Sequence, residues 1–424
     1  MRAQRESPPT VGAALADPDA GMHSAPRRPA APQHSRHIRV LHVGKFYPPH
    51  PGGMETVLSD LCGALATKVS IEVVVANDRG GTERQEIDGV RVTRLGRWGE
   101  ILSTSLVPGL IPFLRRDCWD IIHIHHPNPM AMLALLAVRT RASVVVTYHS
   151  DIVRQRLTGV LFAPFLERVL ARADRIHVAS QELLDSSAVL TLHRARTVVV
   201  PFGIREERIT RLSDRARDIA QELAQWGNGR LALFVGRVVY YKGLEYLLEA
   251  MASVDGRLVV VGDGDRLPHA RSLATRLGIV DRVRFLGNAD ADLVAGAFHA
   301  CDVFVLPSVE RSEAFGLVLL EAMAARKPIV TTELPTGVSF INRHNETGFA
   351  VPPRDARALA LAITRILSDR ELAARMGRAA RDRFESDFTV GIEADRMLDL
   401  YETLCSRRRV APLAPSNART PAAP

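Results

Sequence analysis

The chain is poor in cysteine, lysine, aromatic residues and long apolar runs, and each shortage closes off a class of protein. Its four cysteines in 424 residues (Cys62, Cys118, Cys301, Cys405) stand far apart with no CxxC pair. Neither a structural zinc site nor a disulfide framework is indicated, and a reducing compartment is expected. The longest apolar run, MAMLALLAV at 130–138, falls well short of the roughly 20 residues a membrane-spanning helix needs. Aromatic residues make up 5% of the chain, and the basic residues are dispersed rather than interleaved with them, which argues against a nucleic-acid binder. Residues 1–36 hold no continuous apolar segment of the signal-peptide kind and are rich in Pro, Ala and Arg, so they read as a disordered tail. Residues 407–424 read the same way.

What is present is positive charge. A net charge of +8 and an isoelectric point near 9.7 favour anionic partners such as nucleotide phosphates or lipid headgroups. Lysine stands only at 45, 68, 242 and 327 among 55 basic residues. In such a chain each lysine is a candidate for a place where a compact point charge is needed and the planar arginine fork will not serve. Lys68 and Lys327 fall in connections, whereas Lys45 and Lys242 fall in loops that follow strands.

From Ile38 onward, short β-rich apolar runs (IRVLHV, VSIEVVV, VRVTRL, IIHIH, SVVVTYH, RIHVAS, TVVVPFG) alternate with amphipathic helical stretches. Near-continuous apolar strands separated by helices predict a parallel sheet covered on both faces, an α/β doubly wound domain. After a polar segment from about Glu206 to Gly229 the alternation resumes with LALFVGR, RLVVVGD, RVRFLG, DVFVLPS and PIVTT. Two Rossmann-like domains are therefore expected, over 37–203 and 230–388, joined through 204–229. A C-terminal helix over 389–406 is expected to return to the first domain. Two such sheets facing one cleft put the carboxyl ends of their strands around it, where ligands of these folds bind. The glycine-rich and polar stretches GKFYPPHPGGM, HHPNP, YHSD, GRVVYYKG, GDGD and SVERSEAFG all fall at such strand ends.

One position is hard to reconcile with a simple core. In SEAFGLVLLEAMA (312–324), Glu321 sits mid-helix with Leu317, Val318, Ala324 and Ala325 three or four positions away on its own face. A carboxylate there needs partners. Either a core arginine or the helix edge supplies them, or a ligand does.

The combination of GGME after the first strand, HHPNP, YHSD, PFGI at the domain junction, GRVVYYKG and two glutamates eight positions apart (Glu313, Glu321) resembles the large retaining glycosyltransferase family 4, of GT-B fold, from about Ile38 to Ser406. The resemblance implies transfer of a sugar from a nucleotide-sugar donor bound by the C-terminal half to an acceptor bound by the N-terminal half, with no cofactor and no metal. The chemistry fits: negative charge grows on the departing β-phosphate, and Arg237 and Lys242, flanking a strand-to-helix turn, can meet it. The helix beginning near Phe315, Gly316 and Leu317 offers free amides and a positive dipole end to the same phosphates. Glu313 could accept from sugar hydroxyls. Some 12 Å further along at helical rise, Glu321 could accept from the ribose. Lys242 and Glu313 are expected at open loop or helix-mouth positions, where substitution spares the fold.

Gly52 and Gly53 would let backbone approach the diphosphate or sugar, or else simply form a tight turn after the prolines. His149 matches the family's histidine near the transferred sugar, against the competing reading of a neutral core-edge histidine. Gly262 in GDGD, with Leu286 and Gly287, is expected to shape the nucleotide pocket. Similarity over the whole chain to transferases of bacterial surface polysaccharides makes a mannosyl or related group from GDP-mannose the expected donor, ahead of a UDP-sugar. A lipid-linked or saccharide acceptor is expected, with a cytoplasmic enzyme peripheral to an anionic membrane. The membrane expectation rests on SLVPGLIPFLRR (105–116) and VRQRLTGVLFAPFLERVLAR (153–172), which carry bulky apolar residues with arginine at both ends of the second and at one end of the first; ordinary amphipathic sheet-covering helices are the competing reading.

Three rival readings have less behind them. D-x-D triplets at Asp17/Asp19, Asp263/Asp265 and Asp290/Asp292, and His123, His125 and His126, of which the first two share a strand face, invite a metal, but the triplet is common and no carboxylate or cysteine falls at ligand spacing from the histidines. GDGD lacks the third glycine of a dinucleotide fingerprint, position 267 being leucine. A sugar-nucleotide epimerase would share fold and nucleotide but needs a catalytic acid and base.

Overall fold

Runs such as RVLHV, SIEVVVA and LALFV are buried on both faces, and the computed structural model, which describes residues 38–78, 80–101, 104–151 and 156–410, builds them into two sheets. The first contains β1 (Arg39–Val43), β2 (Ser70–Ala76), β3 (Glu83–Ile87) and β4 (Val90–Leu95). A small hairpin of β5 (Gly99–Ile101) and β6 (Thr104–Leu106) lies outside it. The sheet then takes in β7 (Ile121–His126), β8 (Ser143–Tyr148), β9 (Arg175–Val178) and β10 (Thr197–Val199), in the order β10-β9-β8-β7-β1-β2-β4-β3. Every pairing in it is parallel except β3 with β4. The edge strand β3, ERQEI, has no apolar alternation to announce it; it is held by antiparallel pairing with β4 and by Ile87 alone packing on the domain's apolar cluster.

The second sheet holds β11 (Leu231–Val235), β12 (Arg257–Val261), β13 (Val283–Gly287), β14 (Val303–Leu306), β15 (Ile329–Thr332) and β16 (Gly348–Val351). They lie in the order β13-β12-β11-β14-β15-β16, all parallel. This is the doubly wound order in which the winding reverses between the first and fourth strands, and the crevice at that switch point binds ligands. Here the switch falls between β11 and β14; in the first sheet it falls between β1 and β7.

The polar segment 204–229 is helical over Asp214–Gly227 and packs on the helix Ala291–Ala300, with Leu223 sharing an apolar cluster with Ala297 and Phe298. Arg215 pairs with Asp290 at 2.6 Å and Asp292 at 3.5 Å, so that D-x-D triplet is an ion-paired helix cap. Asp17 and Asp19 lie outside the described residues.

The last helix, Val390–Val410, extends through 407–410, part of the stretch expected to be a tail. Its Ala394, Met397, Tyr401 and Leu404 are buried among Val40, Leu58, Leu61 and Val73 of the first domain. Among the described residues no helix is long and apolar enough to cross a membrane. Within 105–116, Val107, Leu110, Phe113 and Leu114 belong to the first domain's core, so most of the apolar side chains expected at a lipid surface are already covered. The other segment is helical from Arg156 to Arg172, with Leu166, Val169 and Leu170 buried; Arg154 lies outside the described residues.

Candidate functional site

The carboxyl ends of both sheets open on one cleft of about 860 Å³, within the size range of small-molecule sites. Eleven of the thirteen residues singled out from the sequence line it: His149, Arg237, Lys242, Glu313, Gly52, Gly53, Gly262, Phe315, Gly316, Leu317 and Glu321. Leu286 and Gly287 do not. The side chain of Leu286 packs into the second domain's apolar layer and β13 ends at Gly287, whose φ of +68° turns the chain. The cleft wall is reached only at Asn288 and Ala289.

Arg237 and Lys242 come from the loop after β11. Gly236 and Gly262, at the ends of β11 and β12, pack so closely that a Cβ on Gly262 would lie 2.0 Å from the Gly236 carbonyl oxygen. With φ of +134°, position 262 takes glycine on both counts. Arg237 is exposed to the cleft and, among the described residues, has no ion-pair partner. Lys242 is only 8% exposed, and Nζ lies 2.6 Å from Oε2 of Glu313, itself 7% exposed. The same carboxylate oxygen accepts from Ser308 Oγ at 2.9 Å. The two residues are therefore a covered pair, not the open loop positions expected of them, because the loops after β11 and β14 meet at the switch point.

The helix carrying Glu321 spans Leu317–Ala324 and starts from Gly316 in the left-handed region, φ +85°. The interval from Glu313 to Glu321 is thus half loop, and the 12 Å axial figure does not apply. Glu321 lines the cleft wall, and among the described residues its carboxylate has no hydrogen-bond or ion-pair partner. Burial pushes its pKa up to about 7, against the pull of the Arg208 and Lys242 charges. Arg208 is held by the wholly buried Asp60, its Nη1 donating to Oδ2 at 2.9 Å.

From the first domain, Gly52 precedes the helix Gly53–Leu65, and a Cβ on Gly53 would sit 3.5 Å from Leu317 across the cleft. Glu55 in that helix's first turn folds against Gly52, where a Cβ would meet Oε2 at 2.1 Å. At the rim Arg311 donates to Asp151 Oδ2 at 2.9 Å and to Ser186 O at 3.0 Å, joining the loop after β14 to the first domain. Sequence reasoning missed Glu55, Arg311 and Asp151, although each stands within a quoted stretch: GGME, SVERSEAFG and YHSD.

His149 caps β8 at the cleft, stacked on Phe202 at 5.1 Å, with Nε2 3.1 Å from His125 Nδ1. His42, His123 and His125 form a buried group in which one nitrogen from each ring lies within 4.8 Å of the others. Every one of their six ring nitrogens has a hydrogen-bond partner. His42 and His177 went unremarked in the sequence, yet each is the lone histidine of a parallel strand.

The N-terminal half, residues 52–203, matches the model of the glycosyl transferase 4-like domain, and residues 216–383 match that of the glycosyl transferases group 1. The O-antigen chain mannosyltransferase C of Escherichia coli is 35% identical over 87% of this chain and 99% of its own length. The D-rhamnosyltransferase WbpZ of Pseudomonas aeruginosa is 33% identical over 83% of this chain and 92% of its own. Among solved structures, the sucrose-phosphate synthase of Thermosynechococcus elongatus superposes with a TM-score of 0.71 at 24% identity, covering 88% of this chain and all of its own, a likeness of fold.

Proposed function

This chain belongs to the group 1 glycosyl transferases, family 4 with the GT-B fold, and we propose that it moves a mannosyl group from GDP-mannose, with retained configuration, to a lipid-linked or saccharide acceptor in cell-surface polysaccharide or glycolipid synthesis. The observation that carries this reading is the convergence of Arg237, Lys242, Glu313 and Glu321 on the cleft at the second sheet's switch point, facing His149 and the Gly52–Gly53 backbone. Arg237, Lys242 and the first amides of the helix Leu317–Ala324 would take up charge growing on the departing phosphate. Glu313, with Oε2 already engaged, would offer its other oxygen to a sugar hydroxyl, and Glu321 would receive the ribose diol. His149 would accept from a hydroxyl of the transferred sugar.

The mannosyl choice is supported by the two bacterial relatives, which are named for transfer of mannose and of rhamnose. GDP is expected to raise the melting temperature more than UDP or ADP does in a thermal-shift series; stabilisation by UDP alone would overturn the choice of base. We take the reaction to need no metal. Full engagement of the histidine cluster's nitrogens supports this, and EDTA is expected to leave turnover unchanged. A large loss would revive Asp263 and Asp265, of which Asp263 lines the cleft.

We further propose a cytoplasmic enzyme lying on an anionic membrane. Trp98 is 84% exposed, and its amide donates to the Leu106 carbonyl, which ties it to the segment carrying the exposed Arg115 and Arg116. An exposed tryptophan, together with exposed arginines further along the segment it is tied to, suits a headgroup interface. Sedimentation with anionic vesicles is expected at low salt and should weaken as salt shortens the Debye length to about 3 Å at 1 M. Equal failure with neutral and anionic vesicles would leave a soluble acceptor.

A further inference from the structure

Behind the cleft a single file of hydrogen bonds crosses the first sheet from His149 to Val200, just past the end of β10. His149 Nε2 meets His125 Nδ1 at 3.1 Å, and His125 Nε2 meets His42 Nδ1 at 3.1 Å. His42 Nε2 meets the Tyr401 hydroxyl at 3.3 Å, which meets His123 Nδ1 at 2.6 Å. His123 Nε2 meets Thr147 Oγ1 at 2.6 Å, and Thr147 Oγ1 meets His177 Nδ1 at 2.9 Å. His177 Nε2 ends the file on the Val200 carbonyl oxygen at 2.7 Å. The strand register builds it, since His42 lies opposite His123, His125 opposite Thr147, and Thr147 opposite His177. Tyr401 is supplied by the returning C-terminal helix.

Every group in the file can donate or accept except the last. A carbonyl only accepts, so His177 carries its proton on Nε2 and offers a lone pair at Nδ1. Thr147 must then donate to His177 and accept from His123 Nε2–H. His123 Nδ1 accepts from Tyr401, whose oxygen accepts from His42 Nε2–H. His42 Nδ1 accepts from His125 Nε2–H, and His125 Nδ1 from His149 Nε2–H. With one proton per ring the direction is forced at each link. Each ring is buried. Burial pushes His42 and His149 down to about 3 and His177 to about 4, so one proton per ring is the state at neutral pH.

We infer that this file, anchored on the Val200 carbonyl, fixes the cleft histidine His149 as the Nε2–H tautomer, with its Nδ1 held as a hydrogen-bond acceptor, and that Tyr401, His42 and His125 act as positioning residues for it. The role of that acceptor rests on the sugar-site reading above; the tautomer does not. A neutral imidazole in water exchanges its proton between nitrogens, and an Nδ1–H at this place would present a donor where an acceptor is needed. Because a backbone carbonyl closes the far end, the file holds protons in place and does not carry them away.

The test is long-range 15N–1H correlation on the unliganded full chain labelled at histidine, with His149 assigned by loss of its signals in His149→Asn. The wild type should show His149 Nδ1 without a proton. In Tyr401→Phe, His42 Nε2–H loses its acceptor, so His42, His125 and His149 gain by reversing together, and His149 should now carry its proton on Nδ1. That variant should lower kcat on the order of tenfold, the worth of one neutral hydrogen bond, with donor KM little changed. Thr147→Val, close in shape, cuts the file beyond Tyr401 and should reverse the same rings, which keeps the test alive should Tyr401→Phe fold poorly. A protonated Nδ1 in the wild type, or an unchanged His149 spectrum in folded variants, overturns the inference. Reversed rings with unchanged kcat would support the file and put the failure in the sugar-site reading.

Discussion

Lys242→Ala is expected to lower kcat by about 10²–10³-fold, the effect of removing one fixed donor aimed at a developing anion, and Glu313→Ala is expected to lower it strongly as well. The ammonium has three donors, and Glu313 takes one at 2.6 Å. The remaining two are available to a phosphate entering the cleft that Lys242 lines. Pairing complicates the single variants, since each leaves the other charge largely covered. Breaking a buried ion pair costs about 3–5 kcal/mol, an upper bound here because the pair borders the cleft and water can reach it. Melting temperature therefore has to be measured beside turnover. The double variant Lys242→Ala/Glu313→Ala is expected to regain stability without regaining turnover, which separates the chemistry from the fold. Lys242→Arg asks whether charge alone suffices. Lysine stands at only four positions among 55 basic residues, and if the point charge matters, arginine here should stay far below wild type. Near-normal kcat in a well-folded Lys242→Ala enzyme would remove Lys242 from the mechanism.

The doubly wound halves were legible because both kinds of element leave a one-dimensional trace: LALFV and RLVVV are apolar on both faces, and loops such as GRVVYYKG mark the strand ends. β3 was not legible, because ERQEI is a mostly exposed edge with one apolar residue, Ile87, to pack, and it is otherwise supported by its partner strand. The cleft was legible in outline for a related reason: in a wound sheet, strand ends converge whatever the details. What could not be read was which side chains meet once there. Lys242 and Glu313 are 71 positions apart, and nothing local says that the loops after β11 and β14 bring their charges into contact. Leu286 was misplaced by the same limit, since whether a strand end turns its side chain to the cleft or to the apolar layer depends on the turn at Gly287. The histidine file needs three-dimensional register and a tyrosine from a helix far along the chain. Its trace in sequence, histidine within or directly after each of the four apolar strands β1, β7, β8 and β9, was nevertheless available. Read only at His123 and His125, it raised a metal reading that was set aside with nothing put in its place, whereas four strands together point to hydrogen bonds between neutral rings.

Glu321→Ala is expected to raise the donor KM by roughly 10–100-fold, the worth of a hydrogen bond to a charged group, with a much smaller change in kcat, because the ribose is held alike in ground and transition states. The carboxylate that looked misplaced in an apolar helix is, in the structure, a cleft-wall group with no protein partner among the described residues. Burial holds its pKa near 7 in the free enzyme. Below that value the carboxyl is protonated and accepts weakly; above it the carboxylate can receive both hydroxyls of a vicinal diol. Since kcat/KM reports ionisation of the free enzyme, kcat/KM for the donor should rise as pH increases through about 7. Glu321→Gln, which keeps the shape but cannot ionise, should lose that limb of the profile while retaining part of the affinity. Arg208 should act in the same direction: its charge favours the carboxylate, so Arg208→Met is expected to move the limb to higher pH. A donor KM unchanged in Glu321→Ala, or a pH limb that persists in Glu321→Gln, would return Glu321 to a purely structural place in the helix.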